Sequence, residues 1–177
     1  GYGMTECAPM ITFPRPGRIR IGTCGEALPG CEVRTTEEGE IVVRGRQVMV
    51  GYHGRPEETA AILRDGWLHT GDLGVLDAEG YLTVTGRIKE ILVLPSGKNV
   101  NPVPLEEALA AASKGVREVA VFQDGEVLGA LVALNRELVP AGAAGDELAW
   151  LRREVLDPVN ATVAPYRRVL RATVVDG

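Results

Sequence analysis

The chain opens on GYGMTE, where an aromatic ring, a hydroxyl and a carboxylate follow one another closely. Gly1 and Gly3 leave room for a flat ligand beside Tyr2, whose ring face can stack on a purine. The Thr5 hydroxyl can bind a phosphate oxygen. The Glu6 carboxylate can hold a Mg²⁺ that neutralises phosphate charge. A second stretch, WLHTGDLG, sets Asp72 directly after Gly71. Gly71 lets the backbone turn sharply, and a carboxylate fixed on a turn can accept two hydrogen bonds from a vicinal diol such as a ribose. A third, GRIKEILVLPSGKNVNP, carries Arg87 and Lys89 at a seam where chain direction and domain motion are both set. Gly97, in the turn-rich PSGKN, would let a ligand approach the backbone closely. Each stretch also has a plainer reading: a loop with a buried Tyr, an Asp capping its own turn, a solvated hairpin with a Lys. Taken singly, none of the three decides between these.

The elements around these stretches divide the chain into two halves. The first reads as short strands punctuated by glycine: GCEVRT, GEIVVRG and GYLTVTGR. DAEG, between Leu76 and Tyr81, is a hairpin turn. RPEETAAILRD predicts a short helix with Pro56 in its first turn, Glu57 and Glu58 at its positive end and Gly66 after its close. Many short strands with few helices suggest a small barrel or sandwich. In the second half PLEEALAAASKG predicts a helix with Pro104 at its start, Lys114 in its last turn and Gly115 as its cap. VREVAVFQDGEVLGALVAL predicts two strands about Asp124-Gly125. GAAGDELAWLRREVLDPV predicts a linker and an amphipathic helix with Leu148, Leu151 and Val155 on one face and Pro158 interrupting it. VLRATVV is a last strand. The order α-β-β-α-β makes a compact two-layer α+β module, and the boundary between halves falls near Arg87.

Composition narrows the function classes. The 177 residues suffice for one medium domain or two small ones. A net charge of -5 argues against general affinity for nucleic acid. Cys7, Cys24 and Cys31 are odd in number and read as reduced packing thiols of the cytosol, not as a disulfide framework. No apolar run reaches membrane-spanning length, and no basic-then-apolar leader is visible. His53 and His69 lack a metal-ligand pattern and are assigned structural roles. Trp67 and Trp150 read as core.

The order of YGMTE, GEIVVRGRQVMVGY, WLHTGD and GRIKEILVLPSGKNVNPVPLEE closely resembles the adenylate-forming superfamily, which includes acyl-CoA synthetases, luciferases and peptide-synthetase adenylation domains. The match runs from the first residue to about Glu107. RIGTCGEALPGCEV and ILVLPSGKNVNPVPLE look most like long-chain fatty-acid–CoA ligases. The resemblance implies an α+β fold. Residues 1–86 would be the β-rich, barrel-like tail of the large AMP-binding domain, and residues 87–177 the small mobile two-layer C-terminal domain. It implies that Tyr2 packs on adenine, Thr5 binds phosphate and Glu6 ligates Mg²⁺. Asp72 and Arg87 would contact the ribose, and Val84 would lie near the adenine. Lys89 would be the hinge, and Gly97 would stand beside the pantetheine tunnel of CoA. Thr5, Glu6 and Lys89 are thus the implied catalytic residues, with ATP, CoA and a carboxylic acid as partners.

Two elements of that family's pattern are missing: the upstream phosphate loop with its lysine, and the final lysine segment, a role Lys98 does not fill because it sits in the wrong motif. The chain is therefore expected to be a piece of a longer, cytoplasmic, AMP-forming acyl-CoA synthetase. Peripheral contact of the whole protein with a membrane is left open. By itself the piece is expected to be inactive, to bind ATP weakly and to self-associate through uncovered apolar surface. An aryl- or medium-chain-CoA ligase and a non-catalytic nucleotide-binding module are the rival readings.

Overall fold

The computed structural model describes residues 1–143 and 145–175, which divide into two compact units, Gly1–Lys89 and Glu90–Gly177. The division falls between Lys89 and Glu90. The fold mixes α and β, with strands dominating the first unit.

In the first unit, β1 (Tyr2–Gly3), β2 (Met10–Phe13) and β3 (Glu26–Ala27) form one small antiparallel sheet. The larger sheet contains β4 (Cys31–Thr35) and β5 (Glu40–Gly45). After the helix α1 (Pro56–Ile62) come β6 (Leu63–Arg64), β7 (Trp67–Leu76) and β8 (Leu82–Arg87). This sheet curls into a half-barrel. The long β7 is its spine: β5 pairs with one edge, and β6 then β8 share the other. Ile11, Val33, Ile41, Val43, Leu68 and Leu82 pack with Cys7 into one core. Helix α1 stops at Ile62, short of the predicted end, because Leu63 and Arg64 pair with Leu68 and Trp67. The two residues between, Asp65 (φ 51°) and Gly66 (φ 78°), are both left-handed. That is the geometry Asp-Gly gives a tight hairpin, so Gly66 belongs to a strand turn and is not a helix stop.

In the second unit, β9 (Leu92–Val93) and β10 (Asn99–Val100) make a short hairpin. Then follow α2 (Val103–Ala112), β11 (Val116–Asp124) and β12 (Val127–Leu134). A helical run comes next: α3 (Glu147–Leu151), a π-helical turn (Arg152–Leu156) and α4 (Asp157–Thr162). The last strand is β13 (Val169–Val175). The sheet order is β11-β12-β13, antiparallel then parallel, with the helical run as the crossover that a parallel pair requires. Leu105 and Leu109 of α2, Leu128 and Val132 of β12 and Leu151 and Val155 of the run share one core. The order α-β-β-α-β is the one read from the sequence.

Three local expectations give way here. Gly115 is not a left-handed cap: α2 ends through extended Ser113, and Lys114 lies beyond the last turn. Gly115 is small because Trp150 packs on it; a Cβ there would come within 2.9 Å of the indole ring. Leu148 is 54% exposed while Trp150 is 5% exposed, so the buried stripe runs through Trp150, Leu151, Val155 and Val159. Pro158 does not interrupt the helix. It lacks an N–H and would crowd the carbonyl one turn back in a regular helix. The π turn ahead of it, closed by the Asp157 N–H on the Arg152 carbonyl, supplies the wider turn such a residue tolerates. Among the described residues no helix is long and apolar enough to cross a membrane.

Leu109 is fully buried at the centre of the second core. Leu109→Ala is expected to destabilise the chain by about 2–5 kcal/mol, the range for leucine truncation in a packed core. A urea titration followed by circular dichroism checks this, and a loss under about 1 kcal/mol would show that the core is not packed as described.

Candidate functional site

Strand β7 carries the central feature. On either side of one stretch it keeps register with β5: Val42 lies opposite His69, and Glu40 opposite Leu73. Between these pairs β5 has only Ile41, whereas β7 has Thr70, Gly71 and Asp72. The strand accommodates the excess as a bulge, with Gly71 at φ 74°. The sharp turn expected at Gly71 is therefore a bulge inside a continuous strand. Side chains satisfy its displaced amides. Asp72 N–H donates to Thr70 Oγ1 at 3.1 Å, and Thr70 Oγ1 donates to the Ile41 carbonyl at 2.8 Å. Gly71 N–H donates to Glu40 Oε1 at 3.0 Å, while His69 Nδ1 donates to Glu40 Oε2 at 2.7 Å.

The bulge leaves Asp72 8% exposed and opposite Arg87 of β8. Arg87 Nε donates to Asp72 Oδ1 at 2.7 Å, and the Tyr2 hydroxyl donates to Asp72 Oδ2 at 2.7 Å. Tyr2, Asp72 and Arg87, far apart in sequence, thus meet at one carboxylate. Burial pushes the Tyr2 phenol above its ordinary value, and the adjacent Asp72 adds to this against the opposing Thr70 contact. The phenol therefore remains a donor. A carboxylate offers about four acceptor positions, and the two bonds from Tyr2 and Arg87 go to different oxygens.

Tyr2 and Thr5 line an open groove of about 430 Å³ with Gly1, Gly3, Met10 and Phe13. Gly3 does not make this room, contrary to the sequence reading. A Cβ at residue 3 would lie 2.0 Å from the Pro9 carbonyl, so the glycine permits the close approach of β1 and β2. Thr5, itself exposed, begins a 3₁₀ turn, Thr5–Cys7, that ends on the buried Cys7. Glu6, in the same turn, accepts a 2.6 Å hydrogen bond at Oε1 from Tyr52, a residue the sequence reading did not assign. Its other oxygen has no hydrogen bond among the described residues. That suits Mg²⁺, which takes one or two carboxylates and fills its remaining positions with water and ligand phosphate. Among the described residues no group of three or more His, Cys, Asp or Glu side chains could hold a metal ion unaided. Val84, opposite Gly74, packs against the core that Tyr2 also touches. Lys89 is exposed in the 3₁₀ turn Ile88–Glu90, and Gly97 (φ 75°) closes the turn between β9 and β10.

The residue beside the site that motif reading missed is Glu40, which bonds the Gly71 amide and His69. Its signal was present: within GEIVVRG the strand begins on a charged residue, Glu40, and its next three residues, Ile41, Val42 and Val43, are all buried.

Residues 89–176 match the family described as AMP-binding enzyme C-terminal domain, and residues 1–53 match the AMP-binding enzyme family. Asp72 and Arg87 lie in the span between the two matches. The chain is 39% identical over 137 residues to the long-chain-fatty-acid–CoA ligase FadD15 of Mycobacterium tuberculosis, which covers 77% of this chain and 23% of that protein. It therefore spans about a quarter of that relative. An ATP-bound RpMatB-BxBclM chimera superposes with a TM-score of 0.81 at 32% identity, over 99% of this chain and 36% of the other. The o-succinylbenzoate CoA synthetase of Bacillus subtilis, in complex with its acyl-adenylate intermediate, gives 0.75 at 31% identity, over 99% and 37%.

Burial pushes the Cys7 thiol up to about 11, with Cys31 and Glu6 adding to it, and Tyr2 is pushed up as well. Both groups hold their protons more tightly folded than unfolded. Stability is therefore full below about pH 9 and falls as pH rises toward 11, where the unfolded chain binds fewer protons. Urea midpoints at pH 7, 9 and 11 should decline in that order, and the decline should be shallower in Cys7→Ala. A flat profile would overturn the placement of both groups.

Proposed function

We propose that this chain, which belongs to the AMP-binding, adenylate-forming enzyme family, supplies part of the nucleotide site of an ATP-dependent acyl-CoA synthetase acting on a long-chain fatty acid. The observation that carries the reading is the buried Asp72 carboxylate, held between Tyr2 and Arg87 beside the groove that Thr5 lines. That arrangement places an acceptor for a diol, an aromatic face and a hydroxyl in one neighbourhood.

The chemistry has two steps. A carboxylate oxygen of the acid attacks the α-phosphorus of ATP; the bond to the β-phosphate breaks and pyrophosphate leaves. The CoA thiol then attacks the carbonyl of the acyl-adenylate, loses its proton and expels AMP. In the first step charge moves across phosphoryl oxygens, so positioning and neutralisation lower the barrier. Asp72 and Arg87 fix the ribose, the Tyr2 ring and Val84 border the adenine, and Thr5 holds a phosphate oxygen. Glu6 would hold the Mg²⁺, whose contribution when bound is to neutralise phosphate charge. Lys89 is the pivot of the second unit, and Gly97 borders the path of the CoA arm. Residues 1–86 belong in this reading to the larger, nucleotide-binding domain, and residues 87–177 to the smaller, mobile one. Likeness to FadD15 favours the long-chain acid. Likeness to the o-succinylbenzoate enzyme favours an aryl acid as the second reading.

The test uses a protein that carries this chain at full family length, assayed for AMP release with ATP, CoA and a panel of fatty and aryl acids. Long-chain acids are expected to give the highest kcat/KM; preference for aryl acids would establish the second reading. Asp72→Ala removes an acceptor of charge-assisted hydrogen bonds, each worth about 1.5–3 kcal/mol. It is expected to raise the KM for ATP at least about tenfold with the KM for the acid unchanged. An unaltered KM for ATP would sink the nucleotide assignment.

A further inference from the structure

We propose that Glu40 is the positioning residue that fixes Asp72, by holding the bulge of β7 in its one productive register; the consequence for nucleotide binding rests on the reading above. Three residues of β7 face one of β5 at this point, so the β5 ladder does not specify which of them stands out; on the other edge Asp72 lies opposite Arg87 of β8. A one-residue slip would carry the side chain of Asp72 to the opposite face of the sheet. Two side chains oppose the slip on the β5 side. Thr70 holds the amide of Asp72, and Glu40 holds the amide of Gly71.

Glu40 is suited to this because it is itself clamped. Its carbonyl accepts from Thr36 N–H at 2.9 Å, and its N–H donates to Thr36 Oγ1 at 3.2 Å. One carboxylate oxygen meets the Gly71 amide, and the other meets His69 Nδ1. The Glu40 side chain is 13% exposed and that of His69 19%, so water competes weakly for these contacts. A carboxylate only accepts, so both groups facing it must donate. This fixes the His69 tautomer with its proton on Nδ1 and gives that histidine a role besides packing. The two residues flank the bulge from opposite strands. Neither touches the proposed ligand groove, so both act through Asp72.

The experiment is heteronuclear NMR on the 177-residue chain. In Glu40→Ala the Gly71 amide is expected to exchange with solvent at least tenfold faster. Contacts of the Tyr2 ring and of the Arg87 side chain with Asp72 should be lost, while amides of Leu105 and Leu109 keep their protection. Glu40→Gln retains an acceptor oxygen for Gly71 and should restore most of both signals. Glu32→Ala breaks a carboxylate pair with Arg44 on the same sheet and should leave Gly71 unchanged. An unmoved Gly71 amide in Glu40→Ala, or a freed amide with the contacts of Tyr2 and Arg87 to Asp72 intact, overturns the proposal. A full-length enzyme separates it from the functional reading. There Glu40→Ala should raise the KM for ATP, and Glu40→Gln should restore it. If the NMR changes occur but Asp72→Ala also leaves that KM unchanged, the nucleotide reading fails and the positioning role stands. If Asp72→Ala raises the KM while Gly71 stays protected in Glu40→Ala, the positioning role fails alone.

Discussion

A carboxylate as enclosed as that of Asp72 has to be met by donors, because a buried charge without partners costs several kcal/mol. Here the donors come from Tyr2, near the start of the sequence, and from Arg87, at the end of β8. Three strands of two different sheets must therefore arrive together for the charge to be tolerated. That one requirement links the small sheet of β1, β2 and β3 to the half-barrel and sets where the groove beside Tyr2 lies. The apolar core beneath, from Ile11 to Leu82, supplies the driving force, but it would accept more than one arrangement of the strand ends above it. The polar cluster selects among them.

The second unit is organised differently. Its core of leucines and valines joins α2 and the crossover helix to a three-stranded sheet, and its few specific devices serve packing. Trp150 seats on Gly115, and Asn160 braces the start of β13 by donating to the Val169 carbonyl and accepting from its amide. The paired Asn160 contact holds a parallel strand in register where no hairpin does so. The contrast between a polar cluster in one unit and a purely packed core in the other is a physical difference between them, apart from any family likeness.

Much of this was legible in the sequence, for definite reasons. Asp-Gly at residues 124–125, DAEG before Tyr81 and the β-branched run in GEIVVRG report local preferences that tertiary structure did not override. The motif order placed Tyr2, Asp72 and Arg87 in one site, and these three do meet. What escaped was non-local. Glu40 contacts the backbone of a strand thirty residues away, and nothing in GEI says which amide its carboxylate will find. Gly3 and Gly115 are glycines for close approach, and no window of sequence reveals the group that approaches. Asp65-Gly66 was a tight-turn signal read as a helix stop, because the helical pattern before it ran on through Leu63 and Arg64. Pro158 was read correctly as incompatible with a regular helix, but the run widened there and continued.

The energetics of the cluster bear on what Asp72 can do. Its partner Arg87 is 61% exposed, so the ion pair is screened and contributes little to stability on its own. The Tyr2 hydroxyl is the tighter restraint, since burial keeps its proton in place and its ring packs on the core. A diol that approached this carboxylate would join an existing set of hydrogen bonds or displace one of them. Such an exchange yields a small net free energy. It discriminates strongly, however, because a ligand lacking either hydroxyl would leave part of an enclosed carboxylate without a donor. Under the proposed nucleotide reading the cluster would contribute selectivity for the sugar, and most of the affinity would have to come from the aromatic face and the phosphate side.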